Sequence, residues 1–286
     1  MSALPPKADI RPRDQDVCFG PKADSCSAAK SRYSITSSAR ANGVGGTSIP
    51  SAFAVLRLIT NSNLVDCTYR TIVFLTVTDP LGQGLVSSLA HPGGNITGFS
   101  VFEVSLGTKW LEILKQIAPG VRRVTAMFNP ETAPYYGLYL QSIDAGTSLL
   151  GIESIPIQVH SQADIENVIR KVGGEPDSGL FVLPDSHNIV HRKRIIELTA
   201  QYRLPAVYYF RYFATDGGLI SYGPDEMDLF RRTAGYVDQI LKGARPSDLP
   251  VQQPAKFELV INLTTAKALG LTIPPGILSI ADDLVE

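Results

Sequence analysis

No run of about 18 consecutive apolar residues occurs in this 286-residue chain, so no membrane-spanning helix is expected. A surplus of either charge is also missing. Lys and Arg number 26 and Asp and Glu 27, for a formal net charge of −1. That balance excludes the basic face of a nucleic-acid binder and a polybasic membrane patch. Cysteine is scarce: Cys18, Cys26 and Cys67, an odd count without a CxxC pair, exclude a disulfide framework and a zinc ribbon. Catalytic signatures are lacking as well. There is no GxGxxG after a strand, no GxxxxGK[ST] and no GxSxG elbow. The one SxxK match, Ser27 to Lys30, sits in a stretch without periodicity, and no enzymatic activity is expected.

Residues 1–66 differ from the rest. No glutamate appears before Glu103, and no acidic residue lies between Ser25 and Val65, where Lys30, Arg32, Arg40 and Arg57 are basic. Neither a 3.6-residue nor a 2-residue hydrophobic period runs over a useful length. The expectation is a disordered or non-native leader that buries too little apolar surface to offset its ordering entropy. An organellar transit peptide is the alternative. No secretory signal is recognisable, because the start Met1-Ser2-Ala3-Leu4-Pro5-Pro6 lacks an uninterrupted apolar core.

From about Thr68 the pattern becomes regular. Arg70–Val77 is a β-branched apolar run of the kind buried on both faces of a sheet. A short helix over Gly82–Ala90 and a strand over Asn95–Phe99 follow. Leu106–Ala118 predicts an amphipathic helix with Trp110, Leu111, Leu114 and Ile117 on one face. Strands are then expected at 123–128, 152–159, 179–183, 205–209, 218–221 and 257–261. Helices are expected between them at 134–150, 162–172, 188–202 and 225–241, then at 264–269, with Asp282-Asp283 in a last helix. Strands alternating with helices of 10 to 17 residues mean an α/β fold with parallel sheets.

In such sheets ligands sit beyond the carboxyl ends of the strands. Thr78-Asp79-Pro80, Asn129-Pro130-Glu131-Thr132 and Pro184-Asp185-Ser186 each follow a strand. Helix N-termini suit a carboxylate, and Asp79, Glu131 and Asp185 an ammonium, so together they suit a small zwitterion. The competing reading is plain helix capping and turn chemistry. The cluster Tyr208, Tyr209, Phe210, Tyr212 and Phe213 would place one half in the core and leave the other to wall a ligand. Tyr135, Tyr136 and Tyr139 at helical spacing read as packing residues. His187 and His191 have two-ligand metal spacing without a third partner, so no metal or other cofactor is expected.

The order of several motifs carries a resemblance. They are Thr78-Asp79-Pro80-x-Gly82-x-Gly84, Pro92-Gly93-Gly94-Asn95, Asn129-Pro130, Leu183-Pro184-Asp185, Gly217-Gly218 to Tyr222-Gly223, and the run from Leu249 through Ile273-Pro274-Pro275. Residues 70–286 resemble the ABC-transporter substrate-binding protein family, in the subgroup related to tryptophan/tyrosine- and branched-chain amino-acid-type proteins.

The resemblance implies a two-lobe type I periplasmic-binding-protein fold with hinge closure on a small-molecule solute. The first lobe would comprise 68–105 plus 224–245, and the second 106–222 plus 249–286. Crossovers would fall near 100–105, 222–223 and 247–251. The implied ligand-binding set is Thr78, Asp79, Asn129, Glu131, Thr132, Asp185, Tyr209 and Tyr222, with Asp185 taking a ligand ammonium. It also implies a monomer in the periplasm serving an ABC permease of the inner membrane, without nucleic acid. Since 1–66 lack the family's opening strands and helices, the first lobe is expected to be incomplete, with an unpaired edge along 70–77. The alternatives are a truncated fragment with little binding, a sugar-repressor-like sensor and an α/β enzyme.

Overall fold

The computed structural model describes residues 31–37, 54–60, 71–103 and 105–286. Cys18, Cys26, Cys67 and the Ser27–Lys30 motif lie outside them. Two sheets organise the chain. The smaller has the order β1 (Ser31–Ser37), β2 (Ala54–Thr60), β3 (Thr71–Val77), β4 (Ile96–Ser100). β1–β2 and β2–β3 are antiparallel, and β3–β4 is parallel. Two strands therefore stand where the sequence showed no period, and β3 is paired on both sides. The expected leader of 1–66 otherwise lies outside the described residues.

The larger sheet is built from α1 (Leu106–Ile117), β5 (Arg123–Phe128), α2 (Tyr136–Leu150), β6 (Glu153–Gln158), α3 (Gln162–Gly173) and β7 (Ser178–Val182). It continues through α4 (Ser186–Val190), α5 (Arg192–Gln201), β8 (Ala206–Tyr208), α6 (Arg211–Thr215) and β9 (Ile220–Pro224). After α7 (Glu226–Leu241) come β10 (Phe257–Asn262), α8 (Leu263–Leu269), α9 (Pro275–Leu278) and β11 (Asp283–Val285). The strand order is β11-β10-β9-β8-β7-β5-β6. All neighbours are parallel except β9–β10. The mostly parallel sheet is the expected one, and its antiparallel pair joins two strands between which the chain visits the other sheet.

Alternation along the strands feeds two cores, as expected where both faces of a sheet are covered. Ala126, Phe128, Phe181, Val207 and Tyr209 join Trp110, Leu111, Leu114 and Ile117 of α1 and Tyr139 and Ile143 of α2. Met127, Leu180, Val182 and Tyr208 face the other way onto Ile165 and Ile169 of α3 and Ile195 of α5. The four α1 residues predicted to share a face are all buried, and each large one contributes roughly 1.5–3 kcal/mol. α7 packs on the smaller sheet, where Ile240 meets Val73.

Among the described residues three stretches link the sheets: 101–103 leading to Ser105, 224–226 and the return after Leu249. The third runs beside the end of β4, with Ser100 N–H donating to Gln252 O at 2.8 Å and Gln252 N–H to Gly98 O at 2.9 Å.

Several expected elements differ. Residues 82–90 form turns rather than a helix. Asp79 Oδ1 accepts from Gly82 N–H at 2.8 Å, Leu85 N–H donates to Pro80 O at 2.9 Å, and Gly84 takes φ +67°. The expected helix over 188–202 is broken at His191, whose ψ of 11° ends α4 and starts α5. Asp282-Asp283 lead into a strand instead of lying in a helix, because Asp282 accepts from Leu259 N–H at 2.8 Å and sets β11 beside β10.

Candidate functional site

β5 has β6 on one side and β7 on the other, so the direction of winding reverses between β5 and β7. At such a switch point the loops leaving the two strand ends diverge to opposite faces and open a crevice. Asn129 follows β5 and Asp185 follows β7, and both are buried. Asn129 N–H donates to Asp185 Oδ2 at 2.6 Å. Asp185 Oδ1 accepts from His187 N–H at 2.8 Å and from the Thr132 hydroxyl. The Asn129 side chain closes its own loop, its Oδ1 accepting from Glu131 N–H at 2.9 Å.

Burial pushes the Asp185 carboxyl up, against the hydrogen bonds from Thr132, Asn129 and His187 that favour its charged form. Three donors occupy three of the roughly four acceptor positions of a carboxylate, leaving one direction for another cation or donor. Capping and ligand chemistry thus coexist in one side chain. Behind it, Asn188 Nδ2 donates to Met127 O at 3.3 Å and Leu183 O at 3.2 Å, tying the two strand ends together.

The smaller sheet contributes Thr78. The β3–β4 register shifts between Leu75 and Val77, and Thr76 takes φ +59°. For a β-branched residue that is a real outlier, and such a bulge re-aims the strand end. Thr78 is buried, and its hydroxyl faces the phenols of Tyr135 and Tyr139 from α2 and the loop before it. Burial raises the pKa of both phenols, so they stay protonated. Around them stand Phe102, Trp110 and Tyr209. The Tyr139 ring lies 5.7 Å from Trp110, nearly parallel to it, and edge-on to Phe102 at 5.0 Å and Tyr209 at 6.1 Å. Tyr209 Oη donates to Val101 O at 2.6 Å in the linking stretch, and Trp110 Nε1 donates to Tyr222 O at 2.8 Å.

Of the residues singled out from sequence, Thr78, Asn129, Thr132, Asp185 and Tyr209 are gathered around this aromatic wall or at the switch point. Asp79 spends its carboxylate on Gly82 N–H in a local turn. Glu131 is exposed and lies 3.4 Å from His160 Nδ1. Tyr222 stacks on Phe257 at 5.8 Å and lines a separate cavity of about 270 Å³ between α1, β10 and α9, with Lys109, Glu112 and Asp282. That cavity is away from the switch point. His187 and His191 pack ring against ring at 4.7 Å, and burial lowers the His191 pKa. Among the described residues no group of three His, Cys, Asp or Glu converges for a metal.

Sequence reasoning passed over Tyr135, Tyr139 and Asn188. A four-residue tyrosine spacing at the first turn after a strand-end loop was the available signal, and it reads equally well as core. Among the described residues no helix is long and apolar enough to cross a membrane.

Four similarities bear on this geometry. The family described as ABC transporter substrate binding protein matches residues 51–285. A tyrosine-binding protein of Clostridioides difficile is 25% identical over 201 residues, covering 70% of this chain and 57% of its own length. The chain thus spans little more than half of that relative. A conserved domain protein from Vibrio cholerae is 30% identical at a TM-score of 0.66, covering 73% of this chain and 69% of its own. The structure of an ABC domain in complex with L-Trp from Streptococcus pneumonia is 26% identical at a TM-score of 0.68, covering 74% and 71%.

Proposed function

Because the chain belongs to the ABC transporter substrate-binding protein family, we propose that it captures a small amino-acid-like solute between two lobes on behalf of an ABC importer. Its fold is the α/β type I periplasmic-binding-protein fold. In this reading the first lobe comprises 68–105 plus 224–245 and the second 106–222 plus 249–286, hinged at the three linking stretches. Residues Thr78, Asn129, Thr132, Asp185 and Tyr209 surround the solute, whereas Asp79, Glu131 and Tyr222 are engaged elsewhere. The protein works as a monomer in the periplasm and hands the solute to an inner-membrane permease.

The observation that carries this is the meeting of Thr78 from one sheet with Tyr135 and Tyr139 from the other, with Asp185 near Tyr135. The pair of a buried carboxylate and an aromatic wall suits an ammonium beside an aromatic side chain. The printed ligands of two relatives, tyrosine and L-Trp, have this chemistry.

Thermal unfolding with a panel of amino acids tests the proposal. A solute at about 100 times its Kd stabilises by about 2.7 kcal/mol, and the midpoint should rise with L-tyrosine or L-tryptophan. Trp110 is the only tryptophan, is buried, and donates to Tyr222 O at a linking stretch, so its emission should change with L-tyrosine. No midpoint shift with any amino acid would refute the proposal.

A further inference from the structure

Tyr139 is fully buried, and its Oη has no hydrogen-bond partner. Its neighbours have spent theirs: Tyr209 Oη donates to Val101 O at 2.6 Å and Tyr135 Oη to Pro184 O at 3.2 Å. The hydroxyls of Thr78 and Tyr209 come near the Tyr139 phenol, but neither forms a hydrogen bond with it. The ring has no freedom to turn the hydroxyl elsewhere, because Trp110, Phe102, Tyr135 and Tyr209 pack around it at centroid distances of 5.0 to 6.3 Å. A buried hydroxyl without a partner bears its whole desolvation cost. A leucine or phenylalanine here would fill the core without that cost. The polar atom is therefore the feature needing an account, and it sits where the two sheets meet.

Resting on the solute-binding reading above, we infer that Tyr139 is a specificity-determining residue whose phenol donates a hydrogen bond to the carboxylate of the captured amino acid. The neutral phenol always has a proton to give, and the Thr78 hydroxyl beside it supplies a second donor. Asp185, near Tyr135, takes the ammonium. A zwitterion then meets donors at one end and an acceptor at the other. A solute lacking the carboxylate leaves the Tyr139 phenol unpaired and loses affinity for that reason, since a site built around a polar group rejects analogues that lack it.

The test measures calorimetric affinities of the wild type and Tyr139→Phe for L-tyrosine and L-tyrosinamide, with the unfolding midpoint of each free protein. The wild type should prefer the acid. Tyr139→Phe should weaken L-tyrosine about tenfold and change L-tyrosinamide much less, while the free variant unfolds no lower than the wild type. Thr78→Val, tested in parallel, should show the same selective loss for the acid. Unchanged L-tyrosine affinity in Tyr139→Phe, equal loss of both ligands, or a clearly lowered midpoint would overturn the assignment. A wild type that binds amino acids while Tyr139→Phe is indistinguishable from it defeats this inference alone. A wild type that binds none of the panel defeats the solute-binding reading and this inference with it.

Discussion

Asn129 N–H reaches Asp185 Oδ2 across 2.6 Å although the residues are 56 apart in sequence. This bond joins the ends of β5 and β7 where the sheet changes its direction of winding. It makes one carboxylate both a cap for α4 and the centre of the strand-end crevice. The stability and the chemistry of the site therefore share an atom group.

Replacing Asp185 separates those roles. Asp185→Asn sets an amide N–H against donors that had faced a carboxylate. With Asn129 N–H, the Thr132 hydroxyl and His187 N–H all involved, the expected loss is about 2–3 kcal/mol. Urea unfolding should show a lower midpoint with an unchanged slope.

The contact of α1 with α2 depends on Gly107. A Cβ there would stand 2.5 Å from Ile143 N and 2.7 Å from Ser142 C, both backbone atoms. Gly107 N–H also donates to Ser142 Oγ at 2.8 Å. Gly107→Ala should cost about 1–3 kcal/mol by overpacking. Gly137, on α2 with nothing within 4 Å of a Cβ, is the control. Gly137→Ala should be neutral or stabilise by up to about 1 kcal/mol in the same unfolding assay.

Glu226 gives a pH signature. Burial first, then Glu258 and Asp225, raise its pKa. A carboxyl whose folded-state pKa lies above its unfolded value costs stability at high pH, and that cost fades as pH falls toward the ordinary value of 4.5. Glu226→Gln should accordingly raise the unfolding midpoint at neutral pH. A midpoint series taken down to pH 4.5 should show the two proteins converging. A gain that persists undiminished in acid would contradict the assignment.

The capping box at the start of α3 is the simplest local device in the chain. The Ser161 hydroxyl accepts from Asp164 N–H at 3.2 Å, while Asp164 Oδ2 accepts from Ser161 N–H at 2.9 Å. Ser161→Ala should lower stability by about 1 kcal/mol. Hydrogen bonds from His160 and Ser161 hold the Asp164 carboxyl below its usual value. Its stabilising effect is therefore present above the ordinary Asp range and lost as pH falls through the folded-state pKa. An Asp164→Asn variant should lag the wild type at neutral pH and match it in strong acid, read by thermal midpoints.

Much of the fold was legible in the residues. The β-branched runs at 71–77 and 123–128 and the apolar stripe of Trp110, Leu111, Leu114 and Ile117 are local signals of burial, and the structure buries them. Residues 82–90 were misread as a helix because apolar Leu85, Val86 and Leu89 mimic helical spacing. In the structure Leu85 and Leu89 pack beside Phe74 and Val77 from a turn. α6 and β11 are too short to show a period. The strands at 31–37 and 54–60 carry no clear alternation, and their pairing comes from partners far along the chain.

The site divides in the same way. Asn129 and Asp185 announced themselves as polar residues after apolar strands, and the motif order from Thr78 to Pro275 marked the family. Those are properties of short segments, so the chain alone determined them. Which strand ends are neighbours, that Thr78 faces Tyr135 and Tyr139, that Tyr222 turns to another cavity and that the Tyr139 hydroxyl finds no partner were decided only by tertiary structure. Periodicity records whether a side chain is buried, whereas hydrogen-bond partnership depends on atoms brought together from distant parts of the chain.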